Sequence, residues 1–367
     1  MDALKAPVRT PGRLAGGIVL GIAIGLLSPY MLAFAALVFL APVLTARLYV
    51  FAGALPAAVC CAVQIAMAYG NFGPGLAAVL AILLVAPLAL TLRQMRPGGG
   101  ALEQCLRLTL PAWMLCAALA LTVAQWALGA SVADYLAGQF RGQIESLPVG
   151  VQDMLLSAFY GGETPSSLNV LTFYLGFLEP AERALSIESL AEGLRNTLAV
   201  QTTGWLLSAA ALTALLTTAW PLRLLAREGV LEKERWRPLS RWHLPGALAV
   251  AAAIGCVAAM IVMAVSPVSQ ALSVCVAVLS LTTLAFRVQA VASLERRLGA
   301  AGLRSGARAA LIAFLLLVFG EVLAYYGMAS ALFGPTYGVA TRFLARKRGD
   351  GDDFYDGDDP GEDGSGD

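Results

Sequence analysis

Long apolar stretches alternate with short charged stretches along most of the chain. Six of these stretches contain no Asp, Glu, Lys or Arg, apart from a single glutamate in the last one. A membrane-spanning helix needs about 20 apolar residues, because the hydrocarbon core is about 30 Å thick and each helical residue adds about 1.5 Å. Every stretch is longer than that, so the pattern predicts several membrane helices. The stretches are residues 14–46, 48–92, 108–133, 196–222, 244–286 and 309–341.

Turn signals divide the longest of these stretches. Residues 48–92 and 244–286 are too long for one crossing, and they contain a Gly- and Pro-rich turn at 69–75 and the dipeptide Ser266-Pro267. Ser28-Pro29-Tyr30 indicates two short crossings in the first stretch as well. We therefore expect an all-α transmembrane bundle of about nine spans, within a range of about eight to ten.

Charged and polar stretches between the spans predict how the chain is organised. The part from 131 to 195 carries eight acidic residues against three arginines and is long enough to fold, with short helices expected at 132–144 and 181–194. Residues 170–177 form an apolar run of strand or re-entrant length. The predicted parts are an N-terminus (1–13), a four-helix membrane half (14–92), a loop (93–107), two spans (108–222) that flank the acidic segment, a basic loop (223–243), C-terminal membrane helices (244–341) and a charged tail (342–367).

The distribution of Lys and Arg predicts the orientation. Basic residues cluster before the first span, around 93–107, around 223–241 and at 287–308, and these clusters share one side if the first stretch is a hairpin. By the positive-inside rule that side is the cytoplasm, so we expect a bacterial cytoplasmic (inner) membrane protein with its N-terminus inside. The acidic segment 131–195 then lies outside, and the first helix is retained as an anchor.

The side of the C-terminus remains open at this point. Nine crossings place it outside, whereas the basic residues at 342–348 favour the inside. A half-length tenth segment after Tyr326-Gly327, at about 328–341, satisfies both conditions. A single long helix followed by an exported tail is the alternative.

Composition narrows the class of protein further. Only 13% of the residues are charged, 58% are hydrophobic and the mean hydropathy is +0.73, which argues against a soluble enzyme and a nucleic-acid-binding protein. The net charge of +1 combines a basic body with nine acidic residues after position 349. This acidic, Gly-rich tail is of disordered composition.

The residues that carry catalytic chemistry are scarce. His243 is the one histidine, so neither a metal cluster nor a serine triad is expected, and the chain has no phosphate-binding Gly-Lys-Ser/Thr loop. We therefore expect neither an enzyme nor a cofactor.

Glu321 is the most informative single residue, because a carboxylate within a membrane span is costly and is treated as a functional hypothesis. It is a candidate proton carrier or ligand, or else a structural hydrogen-bonding group, and Tyr325 and Ser330 are its nearest polar companions in sequence. Further candidate ligand-binding residues are the polar side chains within spans, Gln64, Gln125 and Gln201, for which a structural or capping role is the alternative.

Gly17, Gly21 and Gly25 form a GxxxGxxxG stripe in the first span. Glycines at this spacing lie on one helix face and allow a second helix to approach closely. That second helix belongs either to the same bundle or to a membrane-protein partner.

In the second half of the chain, one crossing is preceded by Trp242-His243-Leu244-Pro245 and the next ends with Phe286-Arg287-Val288-Gln289-Ala290-Val291. With these residues the second half resembles the YybS-like family of uncharacterised bacterial membrane proteins. The first four helices loosely resemble the substrate-binding membrane subunits of vitamin transporters. These resemblances imply a multi-pass architecture, and they carry over no site residue.

Two functions fit these observations. The first is a transport-related protein that binds a small molecule within the bundle, for which the polar groups inside the spans are the indication. The second is a non-transporting envelope or division-associated scaffold that binds partner proteins through the glycine face and the charged tail.

Overall fold

The computed structural model describes residues 10–33, 40–95, 101–160, 180–227, 239–265 and 269–334, and within them every regular element is a helix. The predicted all-α membrane bundle is thereby confirmed. A short 3₁₀ turn occupies Leu239–Arg241. The α-helices are α1 (Pro11–Ala33), α2 (Leu40–Ala52), α3 (Ala54–Phe72), α4 (Pro74–Gln94), α5 (Leu102–Leu128), α6 (Val132–Glu145), α7 (Val149–Tyr160), α8 (Pro180–Arg227), α9 (Gly246–Val265), α10 (Ser269–Ala300) and α11 (Ser305–Phe333).

Seven of the helices in these ranges are long and apolar enough to cross a membrane, namely α3, α4, α5, α9, α10, α11 and most of α8. Two shorter apolar helices, Pro11–Leu27 within α1 and Leu40–Ala52, accompany them. The apolar run at 170–177, the turn at Ser266-Pro267 and the tail at 342–367 lie outside the described residues.

Several boundaries differ from those expected. Helix α1 continues through Ser28-Pro29-Tyr30 to Ala33, because membrane helices tolerate proline where neighbouring groups satisfy the freed backbone. The chain instead breaks at Gly53, whose φ of 105° ends α2 six residues after Arg47. The turn inside 69–75 is present, with Gly73 at φ 83° followed by Pro74 at the start of α4.

The described chain forms two compact units. The first comprises α1 to α8 and the beginning of α10, up to Ala277. The second comprises the Leu239–Arg241 turn, α9, the remainder of α10 and α11.

The glycine stripe of α1 lies against α2 and α3 in the first unit. A Cβ atom at Gly21 would approach the Pro56 carbonyl oxygen to 2.9 Å, and one at Gly25 would approach Val63 to 2.5 Å. Gly17 faces Ala52 and Pro56 in the same way. The three glycines therefore pack helices of one chain together, and a partner that binds through this face would have to displace α2 and α3.

Hydroxyl groups join the helices in the interior of the first unit. Trp113 is fully buried in α5, and its indole N–H donates to the Thr91 hydroxyl of α4 at 3.2 Å. The hydroxyls of Thr109 and Thr218 lie 3.3 Å apart and connect α5 to α8. Such pairs satisfy polar atoms that have no water available within a bundle.

Helices α6, α7 and the first turns of α8 form a small polar bundle. Its apolar centre is Ile144, Leu156 and Ile187. Arg183 of α8 makes a bidentate ion pair with Asp153 of α7, at 2.7 and 3.1 Å, and only 12% and 3% of these side chains are exposed. Bidentate geometry makes this pair directional as well as charged, so it fixes α7 against α8.

The start of α6 is held to α8 by a capping arrangement. The Ser131 hydroxyl accepts the Asp134 backbone N–H at 3.0 Å and donates to the Asp134 carboxylate at 2.6 Å. Arg195 pairs with the same carboxylate at 2.6 Å. The Ser131 hydrogen bond first, and then the Arg195 charge, hold the pKa of Asp134 below its usual value.

Gly21→Ala is expected to destabilise the first unit, because the new methyl group would meet the backbone of α3, which cannot move aside locally. Overpacking of this kind costs about 1–3 kcal/mol. A lower midpoint of thermal unfolding in detergent would report the loss. Gly16→Ala is the matched control: nothing lies within 4 Å of its Cβ position, so the midpoint should not fall. Equal effects of the two substitutions would contradict the packing described for Gly21.

Acidification should remove the contribution of Asp134 to stability. Because its folded-state pKa lies below the unfolded value of about 3.9, the contribution is present above that value and is lost as the pH falls through the folded-state pKa. The difference in unfolding midpoint between the wild type and Asp134→Asn should therefore be constant from neutral pH down to about 5 and shrink below about 4. A difference that persists unchanged at lower pH would refute the assignment.

Candidate functional site

Gln64 is the most buried of the three predicted glutamines. Its amide nitrogen donates to Cys60 Sγ at 3.1 Å and to Thr45 Oγ1 at 3.4 Å, which links α3 to α2. Its Oε1 atom is buried without a hydrogen-bond partner in the described part of the chain. Gln64 therefore belongs to a compact polar contact inside the first unit.

The other two glutamines are not part of that contact. Gln125 is exposed near the end of α5, and Gln201 is half-buried in α8. Within the described ranges neither side chain makes a hydrogen bond, and no hydrogen bond joins Gln64, Gln125 and Gln201 to one another. The three predicted glutamines of the first unit therefore do not form one site.

Helices α10 and α11 of the second unit pack closely against each other, because a glycine, Gly327, lies at their contact. A Cβ atom at Gly327 would overlap the carbonyl oxygen of Phe286 and approach the Ala290 nitrogen to 3.0 Å. The backbones of α10 and α11 thus touch at this glycine. The break expected at Tyr326-Gly327 is absent, since α11 continues to Phe333 and uses the glycine for packing.

Arg287 and Glu321 form an ion pair between α10 and α11. Arg287 Nη2 donates to Glu321 Oε1 at 2.5 Å, and Arg287 Nε donates to the Gly320 carbonyl oxygen at 3.0 Å. The guanidinium is thus fixed both by a charged partner and by the backbone of α11. Its Nη1 atom has no hydrogen-bond partner among the residues that the structure describes.

Both residues lie far from the ends of their helices. Arg287 precedes the end of α10 at Ala300 by 13 residues, and Glu321 precedes the end of α11 at Phe333 by 12. At 1.5 Å per residue each is at least about 18 Å from either end of its helix. The pair therefore occupies the interior of two helices that are apolar enough to span a membrane.

The backbone of α11 is irregular beside the pair. Phe319 has φ −122° and ψ 32°, so the helix is kinked immediately before Gly320 and Glu321. The Arg287 guanidinium donates a hydrogen bond to the adjacent carbonyl oxygen, that of Gly320. A side chain that bonds a helix carbonyl in this way is a recognised cause of a kink, as proline and π-bulges are. A charged pair thus coincides with a break in a spanning helix.

Further polar contacts join α10 to its neighbours around this position. The hydroxyls of Ser293 and Ser330 lie 2.5 Å apart, so Ser330 pairs with α10 and not with Glu321. Gln289 Oε1 accepts the Leu244 backbone N–H at 2.8 Å, and the Arg297 guanidinium lies 5.6 Å from the centre of the Tyr326 ring. These contacts fix the two helices around the ion pair.

Sequence reasoning placed Arg287 in a cytoplasmic loop, whereas it lies inside α10. The loop assignment followed from the end of the charge-free stretch at Phe286. A signal against it was present, because no Gly or Pro occurs between Arg287 and Leu298 to end the helix. Glu321 was identified from the sequence, but its partner was missed for this reason.

In the ranges that the structure describes, His, Cys, Asp and Glu side chains do not gather in groups of three or more that could hold a metal ion. The chemistry available at the candidate site is therefore that of one guanidinium, one carboxylate and the kinked backbone between them.

No protein-family model, curated protein or solved structure matches this chain. The resemblance to the YybS-like family and to vitamin-transporter subunits consequently stays a prediction, and the geometry of the second unit carries the functional argument.

Arg287→Gln and Glu321→Gln should each destabilise the protein, because each removes the charged contact between α10 and α11 and leaves the partner charge unpaired on a helix apolar enough to span a membrane. The double substitution should be less destabilising than the sum of the two, with a coupling of about 0.5–3 kcal/mol in a double-mutant cycle of thermal unfolding. Gln125→Ala, at an exposed position without a hydrogen bond, is the control and should change little. Strict additivity of the two charge substitutions would show that the pair does not form in the folded protein.

Proposed function

We propose that this chain is a transport-related membrane protein whose small-molecule site lies at the Arg287–Glu321 pair. The pair at the kink of α11 carries the proposal. Ionisable residues inside spanning segments are rare and line substrate or ion pathways, because their burial in lipid is unfavourable.

The kink supports the same function. Irregular backbone within the membrane is tolerated where it lies within protein or borders a water-filled cavity, and interrupted helices form the binding sites of many transporters. In α11 the irregular residue Phe319 is two positions from Glu321. The interruption and the charge therefore occur at one place.

A non-transporting scaffold is less well supported. The scaffold hypothesis used the Gly17, Gly21 and Gly25 face for a partner, and that face packs on α2 and α3 of the same chain. The charged tail at 342–367 lies outside the described residues.

The proposal includes the location predicted from the basic residues. The protein lies in a bacterial cytoplasmic membrane with its N-terminus inside, and the small bundle of α6, α7 and the start of α8 faces outward. The polar and ion-paired surface of that bundle is suited to water. The protein acts without an enzymatic step.

A ligand screen on the purified full-length protein tests the function. The probes are organic acids, amino acids, nucleosides, polyamines and vitamins, and each is tested for an increase in the thermal unfolding midpoint. A ligand at 100 times its dissociation constant stabilises a protein by about 2.7 kcal/mol, which is readily measured. At least one class should raise the midpoint of the wild type and leave the Arg287→Gln, Glu321→Gln double variant unchanged. Failure of every class, together with no copurifying small molecule in mass spectrometry, would contradict a transport role.

A further inference from the structure

The two partners of the ion pair are held unequally. Arg287 is 35% exposed and is bonded to both the Glu321 carboxylate and the Gly320 carbonyl. Glu321 is 76% exposed, and its single ion-pair contact is through Oε1. If the pair separates, the guanidinium keeps a backbone hydrogen bond while the carboxylate keeps none.

We propose that Arg287 is the binding residue for a small oxyanion, a carboxylate or a phosphate group, and that Glu321 takes up a proton when the anion replaces it. This inference rests on the proposed transport function and names its substrate class. Arg287 then holds the anion through Nη1, which has no partner in the described chain, and through Nη2, which Glu321 vacates. The planar fork of the guanidinium matches both oxyanions in bidentate geometry.

Charge balance requires the proton. The resting site contains one positive and one negative side chain and is neutral. An added monovalent anion beside an ionised Glu321 would leave a net negative charge on two helices that are apolar enough to span a membrane, which is unfavourable. A hydronium ion or a buffer acid can give its proton to a carboxylate oxygen of Glu321: one O–H bond of the donor breaks, one forms on Glu321, and water or the buffer base is released. One monovalent anion and one proton therefore enter together.

Among the residues that the structure describes in the second unit, no other charged group contacts the pair. Helix α9, which packs with α10 and α11, contains no Asp, Glu, Lys, Arg or His between Gly246 and Val265. On α11 itself the nearest titratable neighbour is Tyr325, one turn after Glu321. Arg287 is the one charged group that contacts Glu321 in the described second unit.

The anion is a soluble molecule and not a lipid phosphate. Lipid headgroups lie at the membrane surface. The next charged contact of these helices, Arg308 with Glu295, is eight residues or about 12 Å further along α10, and it lies nearer the headgroups than the Arg287–Glu321 pair does. The site is thus suited to a small soluble anion.

Calorimetric titration of the full-length protein in nanodiscs of phosphatidylcholine, a zwitterionic lipid of zero net charge, tests the inference. The probes are acetate, benzoate, succinate and inorganic phosphate, with spermidine and uridine as cationic and neutral comparisons. Repeating each titration at neutral pH in buffers with different ionisation enthalpies measures the protons taken up per ligand bound. We expect about one proton per bound acetate or benzoate, which are monovalent, for the wild type and weaker binding as the pH rises.

Variants separate the two roles. Arg287→Gln should weaken oxyanion binding by about 30-fold or more, and Arg287→Lys should weaken it less, because the charge remains while the fork is lost. Glu321→Gln should still bind the oxyanion, but without proton uptake and without the pH dependence. Arg308→Gln is the matched control, since Arg308 pairs with Glu295 elsewhere in the same unit at 3.4 Å and should leave binding unchanged.

The outcomes distinguish this inference from the function on which it rests. Binding of spermidine or uridine alone would overturn the oxyanion assignment and leave a transport role standing. Oxyanion binding without proton uptake by the wild type, or with equal affinity in Arg287→Gln, would also overturn it. An absence of binding by every probe here would overturn the oxyanion site, and only the wider thermal screen addresses the transport role itself.

Discussion

The contact between Arg287 and Glu321 is the interaction on which the candidate site depends. Each charge alone would be unfavourable between apolar helices, and together they are neutral and directional. Their contact also needs the close approach of α10 and α11 at Gly327 and the accessible carbonyl at Gly320. The site therefore exists because a glycine, a kink and two charges coincide on two helices.

The first unit is held together by a different principle. Small residues allow its helices to touch, and hydroxyl or indole groups then form hydrogen bonds across the contacts, as Trp113 does with Thr91. The small bundle of α6, α7 and the start of α8 instead uses ion pairs around a few apolar side chains, because it contains the charges that the spans lack. The apolar segments thus use small residues and hydroxyl or indole groups for their contacts, whereas the charged segment uses ion pairs.

The apolar stretches and the turn residues between them were sufficient to predict the class of fold. They predicted the helix at 132–144, which the structure extends by one residue to Glu145, and they located the turn inside residues 69–75. They were insufficient at Ser28-Pro29, where a proline that would end a helix in water lies inside α1. The local sequence does not indicate which neighbouring helix will satisfy the backbone groups that such a proline frees.

The candidate site was predicted in part for a similar reason. Glu321 stands out in any apolar run, but a charged residue at the edge of a run is equally compatible with a loop and with a buried pair, and Arg287 was such a residue. Only the packing of α10 on α11 shows that the two charges meet. Likewise, Gly327 has the sequence signature of a break, and its role as a packing glycine depends on the position of Phe286.

The most direct measurement is the thermal unfolding midpoint of the charge-swapped protein, Arg287→Glu combined with Glu321→Arg, beside the two single charge reversals. If the two side chains are in contact, each single reversal places like charges together and lowers the midpoint strongly. The swap should recover much of the loss, while oxyanion binding stays absent because the guanidinium no longer lies on the Gly320 carbonyl. A swapped protein that is as unstable as the sum of the single reversals would contradict the pairing on which the proposed site is built.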